Sequence, residues 1–240
     1  MLSWFFPRIC ELCGEPCAQE LCSSCISELP RVPHPICLYC GAPVSGEQVD
    51  PYHCRSCSSR SRSYDFARSA LLRAPSSMQL VYRLKYGHAN YLAPVLGSLL
   101  NELWEDTPSL LAHDEWALVP VPSAPGHLYS RGFNQAEELA LALARLRGLR
   151  VLSPLARSSK GAESQTRLAA SERRLNALKS YTARRAWRLG RKRLPSHIVI
   201  VDDVYTTGST VHACARALKE LPGVETVAVI TLLRATLQSF

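Results

Sequence analysis

One string limits the folds open to this chain more than any other: Ile198-Val-Ile-Val201-Asp202-Asp203-Val204-Tyr205-Thr206-Thr207-Gly208-Ser209-Thr210. Its opening β-branched run is what a strand buried on both faces needs, and such strands belong to parallel sheets covered by helices. Two carboxylates follow at the strand's C-terminal edge. A loop of small hydroxyl residues around Gly208 then opens into an apolar helical pattern over Val211–Leu221. Backbone N–H groups, three threonine hydroxyls and a serine hydroxyl at a helix N-terminus suit one phosphate dianion. Asp202 and Asp203, just before them, are placed to accept hydrogen bonds from sugar hydroxyls or to touch Mg2+.

The periodicity elsewhere predicts the same architecture. Phe66–Arg73, Trp116–Val121, Arg150–Leu152, His197–Val201 and Thr226–Leu233 read as strands. Pro75–Tyr86, Tyr91–Trp104, Phe133–Arg147 and Val211–Leu221 read as helices, with a polar breaker at Glu105–Pro108. Strands alternating with helices imply an α/β fold, parallel pairing, and ligands at the strand C-termini.

The first quarter of the chain follows different rules. Nine of the ten cysteines lie between Cys10 and Cys57, in four Cys-x-x-Cys pairs plus Cys17. Cys10-Glu-Leu-Cys13-Gly14 is echoed by Cys37-Leu-Tyr-Cys40-Gly41, and Cys22-Ser-Ser-Cys25 by Cys54-Arg-Ser-Cys57. Two residues between thiolates let both sulfurs of a tight knuckle face one ion, and two knuckles complete a tetrahedral Zn2+ site. The simplest partition is sequential: Cys10, Cys13, Cys22 and Cys25 on one zinc, Cys37, Cys40, Cys54 and Cys57 on another. An interleaved pairing stays open, because the spacers of 8 and 13 residues fall below the commonest ribbon range. Closed four-cysteine sites are structural, not catalytic. Cys17 is left unassigned, His53 beside Cys54 is either a ligand or a loop histidine, and Cys214 reads as a small core residue.

The start Met-Leu-Ser-Trp-Phe-Phe-Pro-Arg has no basic n-region and a short apolar run, and no stretch reaches the length of a membrane span. A cytoplasmic location with reduced thiols is therefore expected. The change of composition near Tyr64 divides the chain into a double zinc-ribbon region, 1–63, and a second domain, 64–240. Charge is also local. The chain carries +8 net, yet residues 145–193 hold 15 basic and two acidic side chains. That segment is built to meet an anion.

The string from Ile198 to Thr210 resembles the 5-phosphoribosyl 1-pyrophosphate (PRPP) signature of type I phosphoribosyltransferases. Further matches are Val119-Pro-Val-Pro122-Ser123 after a strand, Arg131-Gly-Phe-Asn-Gln135, Leu84-Lys-Tyr86, Gln165-Thr166-Arg167 and Arg173-Arg174-Leu175-Asn176. Together with the cysteine-rich start, nearly the whole chain resembles the ComF family with its GntX-like members, bacterial proteins associated with utilisation of external DNA. The resemblance implies a type I phosphoribosyltransferase-like parallel sheet flanked by helices. It also implies roles. Asp202 and Asp203 would bind the ribose hydroxyls, one of them near the developing oxocarbenium. Tyr205, Thr206, Thr207, Gly208, Ser209 and Thr210 would surround the 5-phosphate. Pro122, Ser123 and Ala124 would lie near pyrophosphate, with Arg131 as a clamp or, alternatively, paired with Glu137 or Glu138. Arg157, Lys160, Arg167 and Arg173 are candidates for a closing loop, and Lys85 is either a surface residue or a weak member of the site.

The basic stretch resembles the flexible loop of amidophosphoribosyltransferases, but zinc knuckles stand where those enzymes carry a glutaminase, so that activity is not expected. The activity implied is a Mg2+-dependent glycosyl transfer, from PRPP to an unidentified acceptor, in a process linked to DNA uptake. The alternative is a non-catalytic adaptor binding PRPP, a nucleotide or single-stranded DNA alongside DNA-uptake proteins. Between Arg145 and Arg193 only Tyr181 and Trp187 are aromatic, a thin stacking platform for single strands.

Overall fold

The computed structural model describes residues 8–44, 54–58, 61–87, 89–157 and 180–235. Two short helices, α1 (Ser23–Ser27) and α2 (Arg55–Ser58), lie in the cysteine-rich start. After them come β1 (Phe66–Leu72), α3 (Pro75–Tyr86), a 3-10 turn at Asn90–Leu92, α4 (Ala93–Glu105), α5 (Pro108–Leu111) and β2 (Trp116–Pro120). The middle of the chain forms α6 (Pro125–Arg131), α7 (Gln135–Arg147), β3 (Arg150–Val151), β4 (Leu155–Arg157), β5 (Tyr181–Ala183) and α8 (Arg185–Arg188). It closes with β6 (His197–Tyr205), α9 (Ser209–Lys219) and β7 (Thr226–Arg234).

Five strands form one sheet in the order β1-β7-β6-β2-β3, and every neighbouring pair is parallel. Strand alternation sends successive side chains to opposite faces, and helices cover both. Val199 and Val201 of β6, with Ala228 and Ile230 of β7, pack with Leu80, Leu96 and Leu139 from α3, α4 and α7. Ile198, Ile200, Val227 and Val229 pack on the other face with Ala213, Cys214 and Leu218 of α9. Cys214 is a fully buried core residue, as its apolar helical setting predicts.

The zinc-ribbon residues share these cores: Cys10 belongs to the first cluster and Cys37, Cys40, Cys54 and Cys57 to the second. They also cover the outer edge of β1, which would otherwise present unpaired backbone groups. Ala67 N–H donates to Tyr39 O at 2.8 Å and Leu72 N–H to Pro30 O at 2.7 Å. Gly41 has φ +70°, and a Cβ there would lie 2.6 Å from Ala67 O, so only glycine lets this knuckle approach the strand.

Several elements depart from the sequence reading. The strand read as His197–Val201 runs on to Tyr205, because Val204 and Tyr205 continue the ladder opposite Leu233 and Arg234. Helix α6 arises from a Pro- and Gly-bearing stretch; Pro125 at its first turn and Gly132, with φ +79° after its end, mark helix start and stop. Outside the main sheet, β4 pairs antiparallel with β5, so the residues on either side of 158–179 are neighbours. Among the described residues no helix is long and apolar enough to cross a membrane.

Candidate functional site

Strands β2 and β6 are adjacent and parallel, with Trp116 opposite His197 and Pro120 opposite Val201. From β2 the chain passes through α7 to β3 on one side; from β6 it passes through α9 to β7 on the other. Their C-terminal ends therefore diverge, which opens a crevice at the topological switch point. A cavity of about 300 Å³ lies there. Pro122, Ser123, Ala124 and Arg131 line one side, and Asp202, Asp203, Thr206 and Thr210 the other. Arg157 and Tyr181 reach it from β4 and β5. Lys160, Arg167, Arg173 and His53 lie outside the described residues. A larger cavity, about 500 Å³, lies between Arg31–Leu38 and α4, away from the strand ends. The smaller one is the better candidate, because unlike the larger it gathers both carboxylates, the hydroxyl loop and cations from three elements.

Both aspartates line the cavity, and their carboxyls lie close enough to interact. Strand alternation sets their remaining contacts apart. Asp203 Oδ2 sits 2.8 Å from Lys85 Nζ of α3, both largely withdrawn from solvent. Lys85 is thus the ion partner of a site carboxylate and not a surface residue. Asp202 turns toward the α9 face and accepts from Asp203 N–H at 2.9 Å. Burial, and then the charge of Asp203, pushes its carboxyl up to about 8.

The hydroxyl loop is stapled from within and from below. Thr207 Oγ1 and Ser209 Oγ are 2.9 Å apart, and Ser209 N–H reaches Thr207 Oγ1 at 3.4 Å. Gly208 has φ +73° at the start of α9, and a Cβ would collide with the Tyr205 phenol. Tyr205 is only 3% exposed: its side chain is the floor beneath the loop and does not line the cavity. Thr207, Gly208 and Ser209 shape the loop while Thr206 and Thr210 face the cavity.

Opposite, Asn134 holds the Val121–Ala124 loop. Its Oδ1 caps α7 through Ala136 N–H at 3.2 Å and accepts from Ser123 Oγ at 2.8 Å, while Nδ2 donates to Val121 O at 3.0 Å. Asn134 is therefore a site-shaping residue absent from the sequence-derived set, and its signal was an N-cap residue before Gln-Ala-Glu-Glu. Arg131 pairs with neither Glu137 nor Glu138. Its guanidinium lies 4.8 Å over the Tyr86 ring and donates to Gln135 Oε1 at 3.1 Å.

The thiols settle the pairing of the knuckles. Cys10, Cys13, Cys22 and Cys25 form one cluster and Cys37, Cys40, Cys54 and Cys57 the other, with ligand atoms within 4.8 Å of one another in each. Zn–S bonds of about 2.3 Å in a tetrahedron require sulfurs roughly 3.8 Å apart. Cys13 and Cys22 are 3.9 Å apart, and Cys40 and Cys54 are 3.7 Å apart. Backbone N–H groups point at the sulfurs, as from Cys22 to Cys10 and from Cys54 to Cys37, both at 3.4 Å. Both tetrads fit structural Zn2+, and the pairing is sequential.

Two tetrathiolate knuckle pairs, joined to a parallel α/β sheet with a charged crevice at its switch point, define a zinc-ribbon α/β protein. Residues 1–60 match the double zinc ribbon domain. Competence protein F of Haemophilus influenzae is 29% identical over 222 residues, covering 90% of each chain. Competence protein ComFC of Bacillus subtilis is 29% identical over 226 residues, 90% of this chain and 85% of its own. DNA utilization protein YhgH of Escherichia coli is 31% identical over 221 residues, 88% of this chain and 91% of its own. The chain belongs to the ComF family.

Proposed function

We propose that the chain binds PRPP in the crevice and transfers its phosphoribosyl group to an acceptor, in a process linked to DNA uptake or utilisation. The observation that carries this reading is the convergence of two loops on one 300 Å³ cavity with two carboxylates between them. Thr206, Thr210 and the N-terminus of α9 suit the 5-phosphate. Asp202 and Asp203 suit the ribose hydroxyls, and Ser123 with Arg131 suits the pyrophosphate. Arg157, with the basic residues Lys160, Arg167 and Arg173, is taken to close over the polyphosphate. The link to DNA rests on relatives named for competence and DNA utilisation. Two tetrathiolate zinc sites agree with a reducing compartment such as the cytoplasm.

Displacement at the anomeric carbon builds positive charge on the ribose and negative charge on the departing pyrophosphate. The side chains divide accordingly. A carboxylate below the ring stabilises the oxocarbenium, and Arg131 and Arg157 face the leaving group. Lys85 orients Asp203 through their 2.8 Å ion pair. Two carboxylates beside a polyphosphate site are a donor set suited to Mg2+, which when bound neutralises pyrophosphate charge.

The test is pyrophosphate release from PRPP and Mg2+ with a pool of bases and amines. Release above an Asp203→Asn control is expected. PRPP binding without release above that control, for any acceptor class, would replace transfer by a binding role.

A further inference from the structure

We propose that the second zinc ribbon, Cys37–Cys57, positions the hydroxyl loop of the crevice through Arg234, Tyr205, Tyr64 and Arg62, which makes these four positioning residues. The chain of contacts is short and buried. Arg234, the last residue of β7, is 8% exposed. It donates to Cys40 O at 2.6 Å and to Cys40 Sγ at 3.3 Å. Its guanidinium lies 4.7 Å over the Tyr205 ring. The Tyr205 hydroxyl is 2.6 Å from that of Tyr64, itself buried. Tyr205 then forms the floor on which Gly208 rests, too close for any Cβ.

A second arm runs beside the first. Tyr39 lies between the ligands Cys37 and Cys40, and its ring packs 5.7 Å from Tyr64. Its hydroxyl donates to Arg62 O at 3.1 Å, and Arg62 Nη1 donates to Thr207 O at 2.8 Å. Next along the chain, Ser63 N–H donates to His212 Nδ1 on α9 at 2.9 Å. Both ends of the loop are therefore held by groups that the ribbon places.

Charge explains why metal matters here. A tetrathiolate around Zn2+ keeps a net charge of about −2, and a buried guanidinium is tolerated only beside compensating groups. Arg234 finds them in the Cys40 carbonyl and sulfur. With the tetrad dismantled, Arg234 loses two of its contacts and the Tyr205 ring its fixed neighbour. The first ribbon is arranged otherwise. Its Glu11 contacts α3 and the 3-10 turn, through Arg83 at 2.9 Å and Tyr91 at 2.6 Å. Its cysteines range from buried to exposed, whereas all four of the second tetrad are buried.

The loop-order part of this inference stands without the phosphate reading; only its binding readout rests on that reading. The experiment removes zinc stepwise from the full chain with a chelator. Cysteine alkylation reports which tetrad has emptied. Hydrogen exchange is followed at the amides of residues 206–210, with α7 as the reference, and ribose 5-phosphate is the binding probe. Loss of the first zinc should leave the loop unchanged. Loss of the second should speed loop exchange at least roughly tenfold while α7 stays protected, and weaken ribose 5-phosphate by a similar factor. Tyr64→Phe, which keeps both zincs, should loosen the loop severalfold, and Arg234→Leu more. Equal loss of protection in α7 and the loop means plain unfolding and overturns the inference. So does a loop indifferent to the second zinc and to Tyr64→Phe. A loop that loosens in a protein whose wild type does not bind ribose 5-phosphate upholds the positioning and sinks the phosphate reading instead.

Discussion

Replacing Asp202 by Asn should remove a pH dependence of stability that the wild type carries at this one site. The carboxyl is held at about 8 in the fold, chiefly by burial; in the unfolded chain it titrates near about 4. The folded state therefore binds one more proton than the unfolded state across that window. Stability from this group is full below the unfolded value and is lost as pH rises toward the folded one. Integrating between about pH 5.5 and about pH 8.5 gives a wild-type loss of about 3 kcal/mol for the raised carboxyl of the Asp202–Asp203 pair. Asp203, Lys85, Arg157, Tyr181 and Cys214 all face the group and remain in the Asn variant, and both zinc sites are common to the two proteins. The informative quantity is therefore the difference between variants, from urea unfolding in Mg2+-free buffer at several pH values. Asp202→Asn should gain on the wild type as pH rises. A difference that stays flat would refute the buried, proton-holding carboxyl.

Three further outcomes follow from the geometry. Asn134→Ala removes the α7 cap and the anchors to Ser123 and Val121, and should cost about 2 kcal/mol in urea unfolding. PRPP binding should fall with it, and an unchanged midpoint would deny the anchoring. Gly208→Ala places a Cβ against Tyr205 in a left-handed conformation and should cost about 1–3 kcal/mol; thermal unfolding checks this, and a neutral result would mean the loop rests elsewhere. Cys13→Ser, at the exposed knuckle, should leave a folded chain with weakened first-site zinc, whereas Cys37→Ser, fully buried, should abolish soluble expression or cooperative melting. Metal analysis and calorimetry separate the two, and equal behaviour would contradict the difference in burial.

Local features were legible in the sequence, and features set by distant partners were not. The β6 run, the hydroxyl loop and the knuckles carry their signal within a dozen residues, so strand, turn and ligand spacing could be read directly. Even there the strand end was misplaced, because Val204 and Tyr205 are held by β7 partners rather than by their own propensity. Lys85 reads as an ordinary exposed helix lysine until α3 is laid against the end of β6. Arg234 looks like the polar close of an apolar strand; its partner Cys40 is 194 residues away. Asn134 was the readable omission, since an Asn before an Ala/Glu-rich helix is a capping signal.

The adjacency of Asp202 and Asp203 bears on what the crevice can do. Both line the cavity, and their carboxyls are close enough to act on each other. Lys85 faces Asp203 at 2.8 Å, whereas burial followed by the charge of Asp203 pushes the Asp202 carboxyl up to about 8. On the proposed reading, an incoming cationic centre would offset that repulsion and favour the ionised form of Asp202. The same burial that strips the carboxylate of water would then strengthen its attraction for the ligand, which accounts for an acidic pair lying inside a buried strand and not on a solvated turn.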